Sequence, residues 1–277
     1  MDFRDDVELD PSQVEDAGGG GGGGFPGGGM IIGGGGIIGL IALVLVFVLN
    51  NVGGGAEPAQ RRPPANLSEQ CHTGKDADQS ERCRVVGVVN SIQDYWKQEI
   101  SEYRQAKTIL YSGRLRTSCG TASSAVGPFY CPGDQRVYLD LSFFDQLHEQ
   151  FGAKGGPFAQ AYVIAHEYGH HVQDVLGALG GQGGSSVPVE LQADCYAGVW
   201  AHNAVRTGFY DKPFTPAEIS EALDAAAAVG DDRIQRRTTG RIDPESFTHG
   251  SSEQRVNAFR RGYENGRPND CATAELR

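Results

Sequence analysis

The sequence predicts an α+β fold: a mostly helical domain with a small antiparallel sheet, preceded by a disordered tail and one transmembrane helix. Three observations predict it. Residues Met30 to Leu49 carry no charge, apolar residues recur at helical spacing after Cys83, and only the stretch around Pro132-Gly133 has the turn and short apolar runs of paired strands. A chain of 277 residues is long enough for one large domain or two small ones. Its formal net charge of −11 leaves no basic stripe to neutralise phosphates, which argues against a nucleic-acid partner.

Taken in order, residues 1–29 begin "MDFRDDVELDPSQVED", acidic and polar, and pass into glycine repeats. They are expected to be disordered. Residues 30–49, "MIIGGGGIIGLIALVLVFVL", would reach about 30 Å as a helix, the thickness of a bilayer core. A helix apolar all round and flanked by glycine has no soluble partner to bury it, so a single membrane span is expected. Charge bias does not orient it: only Arg4 precedes it, while Arg61 and Arg62 follow. Residues 50–70 hold "AEPAQRRPPANLSEQ", an extended linker, and residues 71–277 form the folded domain.

The six cysteines are an even set with no CxxC pair, which favours an oxidising compartment. Cys71/Cys83 and Cys119/Cys131 are each twelve apart, so two local disulfides are plausible, although spacing does not fix connectivity. Between Cys83 and Ala106, residues Val85, Val88, Val89, Ile92, Trp96, Ile100 and Tyr103 mark one buried helix face. "GPFYCPGDQRVYLDLSFF" predicts a hairpin ending in a strand near Val137 to Leu141. Pro157 opens a helix running to Gly177, Pro188 marks another, and Thr215-Pro216-Ala217-Glu218 and Ser251 with Gln254 mark two more starts.

The third of these runs carries the chemistry. In "AHEYGHHVQD", His166 and His170 lie about 40° apart on one helix face, so both imidazoles can grip one metal ion. Glu167 is beside them, within reach of a metal-bound water, in the position of a general base. His171 lies about 140° round from His166 and is read as structural or as a surface residue. In "VPVELQADCYAG", Glu190 and Asp194 are one turn apart. Together they supply a third ligand and a partner that orients a ligand histidine, and a hydrolytic zinc site needs three protein ligands and one position for water. The metzincin pattern is excluded, because Gln173 and Leu176 stand where its glycine and third histidine would be.

With "LDPSQVED", "CGTASSAVGPFYCPGDQRVYLDLSFF", "AQAYVIAHEYGHHVQ", "ELQADCYAGVW" and "HGSSEQRV", the chain resembles the bacterial membrane-anchored neutral zinc metallopeptidases. These are close in layout to the gluzincins, with His-Glu-x-x-His followed by Glu-x-x-x-Asp. The resemblance implies a zincin-like metallopeptidase domain, one transmembrane helix and a catalytic body outside the cytoplasm, hence a single-pass protein of the cell membrane. The function expected is hydrolysis of protein or peptide substrates, with Zn2+ held by His166, His170 and Glu190, Asp194 orienting a histidine and Glu167 acting as base. His249 resembles the late histidine that stabilises the oxyanion, with Arg255 as a substitute. The strand near Val137 is a candidate for pairing with substrate backbone. The alternative is a catalytically inactive, membrane-tethered binding or scaffold protein that keeps the fold; the intact Glu167 favours the enzyme.

Overall fold

The computed structural model describes residues 1–19, 63–123, 126–149, 151–180 and 186–272. In chain order these form β1 (Val14–Gly19), α1 (Leu67–Gln70), α2 (Gly74–Gln79), α3 (Glu81–Glu99), β2 (Lys107–Ser112), β3 (Arg114–Thr117), β4 (Gly120–Ser123), β5 (Phe129–Cys131) and β6 (Arg136–Asp140). They continue with α4 (Ser142–Glu149), α5 (Pro157–Val175), α6 (Val187–Asn203), α7 (Pro216–Ala228), α8 (Asp231–Thr238) and α9 (Ser252–Asn265). The fold is mostly helical α+β, as the sequence predicts. The start signals mark real starts: Thr215 with Glu218, and Ser251 with Gln254, both close capping boxes.

The sheet differs from expectation. It is mixed rather than antiparallel, in the order β1-β2-β6-β5, with β1 and β2, and β2 and β6, parallel and only β5–β6 antiparallel; β3 and β4 form a separate hairpin. The expected hairpin around Pro132-Gly133 is the β5–β6 pair. The central strand β2 was not recognised, because "KTILYS" is a short apolar run buried on both faces and shows no alternation. Strand β6, which includes Val137, is paired on both sides and has no edge to offer a substrate; the edge strands are β1 and β5.

A second correction concerns residues 1–29. Their first part is ordered: Phe3, Leu9 and Val14 are buried in the main core, and β1 pairs with β2 in register Val14 to Thr108. Each such side chain contributes about 1.5–3 kcal/mol, enough to order a segment whose acidic composition hides its spaced apolar anchors. The folded domain therefore includes residues before the expected boundary at 71. The expected span Met30 to Leu49 lies outside the described residues, and no helix among those described is long and apolar enough to cross a membrane.

The same segment explains why α3 is more buried than a one-faced helix. Val85, Val88, Val89, Ile92 and Trp96 are buried as expected, but so are Val86, Asn90, Ser91, Gln93 and Tyr95. The chain's N-terminus covers one side of α3, and α5 covers another. The two expected disulfides, Cys71–Cys83 and Cys119–Cys131, are present, and a third, Cys195–Cys271, ties α6 to the end of the described chain.

Candidate metal centre

Two helix crossings assemble the centre. Helix α5 meets α6 at Gly169, where a Cβ would lie 2.9 Å from Ala193 Cα and from its carbonyl oxygen. Only glycine permits that approach, which brings the turn bearing Glu190 and Asp194 onto the turn bearing His166 and His170. Helix α9 crosses α6 just as closely at Gly262, where a Cβ would overlap the carbonyl oxygen of Cys195. That crossing carries Arg255 to Asp194.

At the first crossing, His166, His170 and Glu190 are all buried and each offers a ligand atom within 4.8 Å of the others. Glu190 Oε2 is 3.3 Å from His166 Nε2, and Oε1 is 3.5 Å from His170 Nε2. His170 Nε2, Glu190 Oε1 and the neighbouring Glu167 Oε2 are buried without a hydrogen-bond partner. Each such orphaned atom costs about 1–3 kcal/mol, and a cation held among the ligand atoms of His166, His170 and Glu190 would satisfy the first two. Two nitrogens and one carboxylate oxygen are the donors zinc takes in hydrolytic sites.

The far sides of both imidazoles are fixed. Asp194 Oδ1 lies 2.7 Å from His166 Nδ1, and the carboxylate also accepts from Tyr162 Oη at 2.6 Å and from Arg255 Nε and Nη2 at 2.8 and 2.9 Å. An ionised carboxylate only accepts, so His166 donates from Nδ1, which turns Nε2 to the site. Burial alone would raise the Asp194 carboxyl, but the charges of Arg255 and then His166 outweigh it and hold it at about 2.

His170 is oriented by a chain of two amides. Gln192 Nε2 donates to the Cys271 carbonyl at 2.9 Å, so Gln192 Oε1 faces inward and accepts from Gln173 Nε2 at 2.9 Å. Gln173 Nε2 also donates to the Val189 carbonyl at 2.8 Å, which leaves Gln173 Oε1 to accept the Nδ1 proton of His170 at 2.8 Å. Since carbonyls cannot donate, every direction in the chain is determined, and the His170 lone pair sits on Nε2.

The field at the centre favours positive charge. Burial opposes charge on Glu190, yet His170 and His166 keep its carboxyl well below the ordinary range. Burial likewise disfavours charge on His166, but Asp194 and Glu190 overcome it and push the imidazole up to about 10. Glu167 goes the other way: burial raises its carboxyl despite the two histidines, and a backbone hydrogen bond from Tyr130 ties it to β5.

The remaining sequence candidates separate. His171 is structural, buried with Nδ1 3.1 Å from Tyr130 Oη and Nε2 2.6 Å from the Arg104 carbonyl. Arg255 is committed to Asp194, Tyr162 and the Val229 carbonyl, so it is no free oxyanion donor. His249 is buried with Nε2 unpartnered and Nδ1 3.0 Å from Asp231 Oδ1. Its loop rests on the first turn of α6, where Ser186 Oγ donates to the Thr248 carbonyl at 2.5 Å and a Cβ on Gly250 would be 3.2 Å from Val187 Cγ1. Sequence reasoning missed Tyr162, Gln173 and Gln192, which hold Asp194 and His170, and Asp231, which holds His249. Gln173 had a signal, being one turn after His170 on the same helix.

Fold and donor set define a candidate helix-borne metal centre of the His-Glu-x-x-His type, with a glutamate from the following long helix. Residues 1–274 match the family described as "Putative neutral zinc metallopeptidase", and the chain belongs to that family. It is 53% identical over 224 residues to uncharacterized proteins of Mycobacterium tuberculosis and Mycobacterium bovis, covering 76% of this chain and 76% of theirs. It is 40% identical over 252 residues to the uncharacterized protein YpfJ of Escherichia coli, covering 85% of this chain and 86% of that one. No solved structure matches the chain.

Proposed function

We propose that this protein is a zinc-dependent peptidase that hydrolyses peptide bonds in protein or peptide substrates. The observation that supports it is the convergence of the buried His166, His170 and Glu190 ligand atoms, two of them without hydrogen-bond partners, beside a Glu167 carboxylate that also has an unpaired oxygen. When bound, zinc supplies a Lewis acid that polarises the scissile carbonyl and makes water nucleophilic near neutral pH.

The residues divide the rest of the work. Glu167 takes the proton of the attacking water and passes it to the leaving amine; a carboxyl raised by burial is better matched to both transfers than an ordinary one. His249, with Asp231 behind it, donates from Nε2 when protonated and stabilises the oxyanion.

The test is a peptide-library assay of the full chain with its metal measured. About one zinc per chain and cleavage lost to a chelator and restored by zinc are expected. Zinc-loaded protein that cleaves no peptide would instead favour a binding or scaffold protein.

A further inference from the structure

The chain leaves the described fold after Gly19 and re-enters it at Pro63, and the two ends meet. A Cβ on Gly18 would lie 2.7 Å from Pro64 Cδ. Arg82 touches both sides of the gap, with Nε 2.7 Å from Asp16 Oδ2 and Nη2 3.4 Å from the Pro63 carbonyl.

The surfaces that receive the N-terminal segment are shaped for it. Asn90, on α3 and only 3% exposed, has both ends of its amide taken by one residue: Oδ1 accepts from the Asp10 N–H at 2.8 Å and Nδ2 donates to the Asp10 carbonyl at 3.0 Å. The buried Gln93 donates to Gln13 Oε1 at 2.7 Å. Gly87 has no room for a side chain because the Phe3 ring is 2.6 Å from where a Cβ would be, and a Cβ on Gly74 would overlap the Arg4 carbonyl oxygen. Residues 1–18 thus bury two amides of α3 and supply the hydrogen-bond partners that their burial requires.

We propose that residues 1–18 and residues 63–272 lie on the same side of any membrane that the expected span Met30 to Leu49 enters. A single pass through Met30 to Leu49 would instead put about 30 Å of hydrocarbon between Gly18 and Pro64, which are in contact. The three disulfides of the body need an oxidising compartment, and they assign the shared side to it.

All six cysteines are disulfide-bonded, so one introduced cysteine is the only thiol in the full chain. Asp6→Cys, at a side chain 77% exposed, reports the N-terminal flank, and Lys97→Cys, on the exposed side of α3, reports the body. A membrane-impermeant maleimide is added to sealed spheroplasts expressing either variant, before and after permeabilisation. Both thiols are expected to react before permeabilisation and to the same extent. Reaction of one before and the other only after would overturn the proposal, and reaction of both only after would overturn the oxidising-side assignment. The exposed pair Glu8→Cys and Gln98→Cys repeats the comparison, so that misfolding of one variant does not decide it.

Discussion

At the scale of the residue, the centre depends on which nitrogen of each histidine holds the proton. His166 is set by a charged partner, Asp194, and His170 by a neutral one, Gln173. Gln173→Met keeps the volume but removes the acceptor, freeing His170 to place its proton on either nitrogen. A loss of about 10–100-fold in zinc affinity is expected, measured by chelator competition, with unfolding of the zinc-free protein little changed. An unaltered affinity would remove Gln173 from the site. Asp231 makes a second residue-scale case. Burial works against its charge, but His249 and the backbone N–H groups of His249, Thr248 and Gly250 outweigh it and hold the carboxyl below the usual range. A depressed carboxyl contributes stability that is complete above the unfolded value of about 3.9 and is lost as pH falls through the folded value. Unfolding measured against pH should therefore show the wild type losing stability below about pH 4, with Asp231→Asn less stable at neutral pH and flatter over that acid range. Parallel curves would contradict this.

At the scale of the element, close helix crossings position the ligands. Gly169→Ala puts a methyl group 2.9 Å from the Ala193 backbone. Forcing α5 and α6 apart should cost about 1–3 kcal/mol by overpacking and lower zinc affinity. An alanine at Gly177, where space is open but φ is +71°, should cost stability through backbone strain and leave zinc affinity unchanged, as denaturant titration and metal binding would show. Equal effects on zinc affinity at the two glycines would mean that the crossing does not set the ligand geometry. This scale also separates what was readable in the sequence from what was not. His166, Glu167 and His170 lie within one helical turn, and Glu190 and Asp194 within another, so periodicity alone reveals each half. The relation of Arg255 to Asp194 exists only because α9 crosses α6, and no local pattern carries that. Strand β2 is buried on both faces and lacks alternation, while β1 was masked by an acidic segment whose anchors Phe3, Leu9 and Val14 follow no helical or strand period. Physical cues for capping and turns survived best, because they are satisfied within a few residues.

At the scale of the whole molecule, distant pieces of chain converge on one centre. The Cys195–Cys271 disulfide closes a loop with a sequence separation of 76, and the Cys271 carbonyl anchors the amide chain to His170. The Cys195→Ala/Cys271→Ala variant should lose about 4 kcal/mol in chemical unfolding, the chain-entropy value for a loop of that length, and bind zinc more weakly as well. Lost stability with full zinc affinity would separate the covalent tie from the site. The central claim is that the buried carboxylate of Glu167 moves the protons of peptide hydrolysis while the ligands beside it hold the metal. Glu167→Gln in the full chain tests it most directly, with zinc content and peptide cleavage measured on the same sample. The expected result is wild-type zinc content with hydrolysis abolished; cleavage at the wild-type rate would contradict the account.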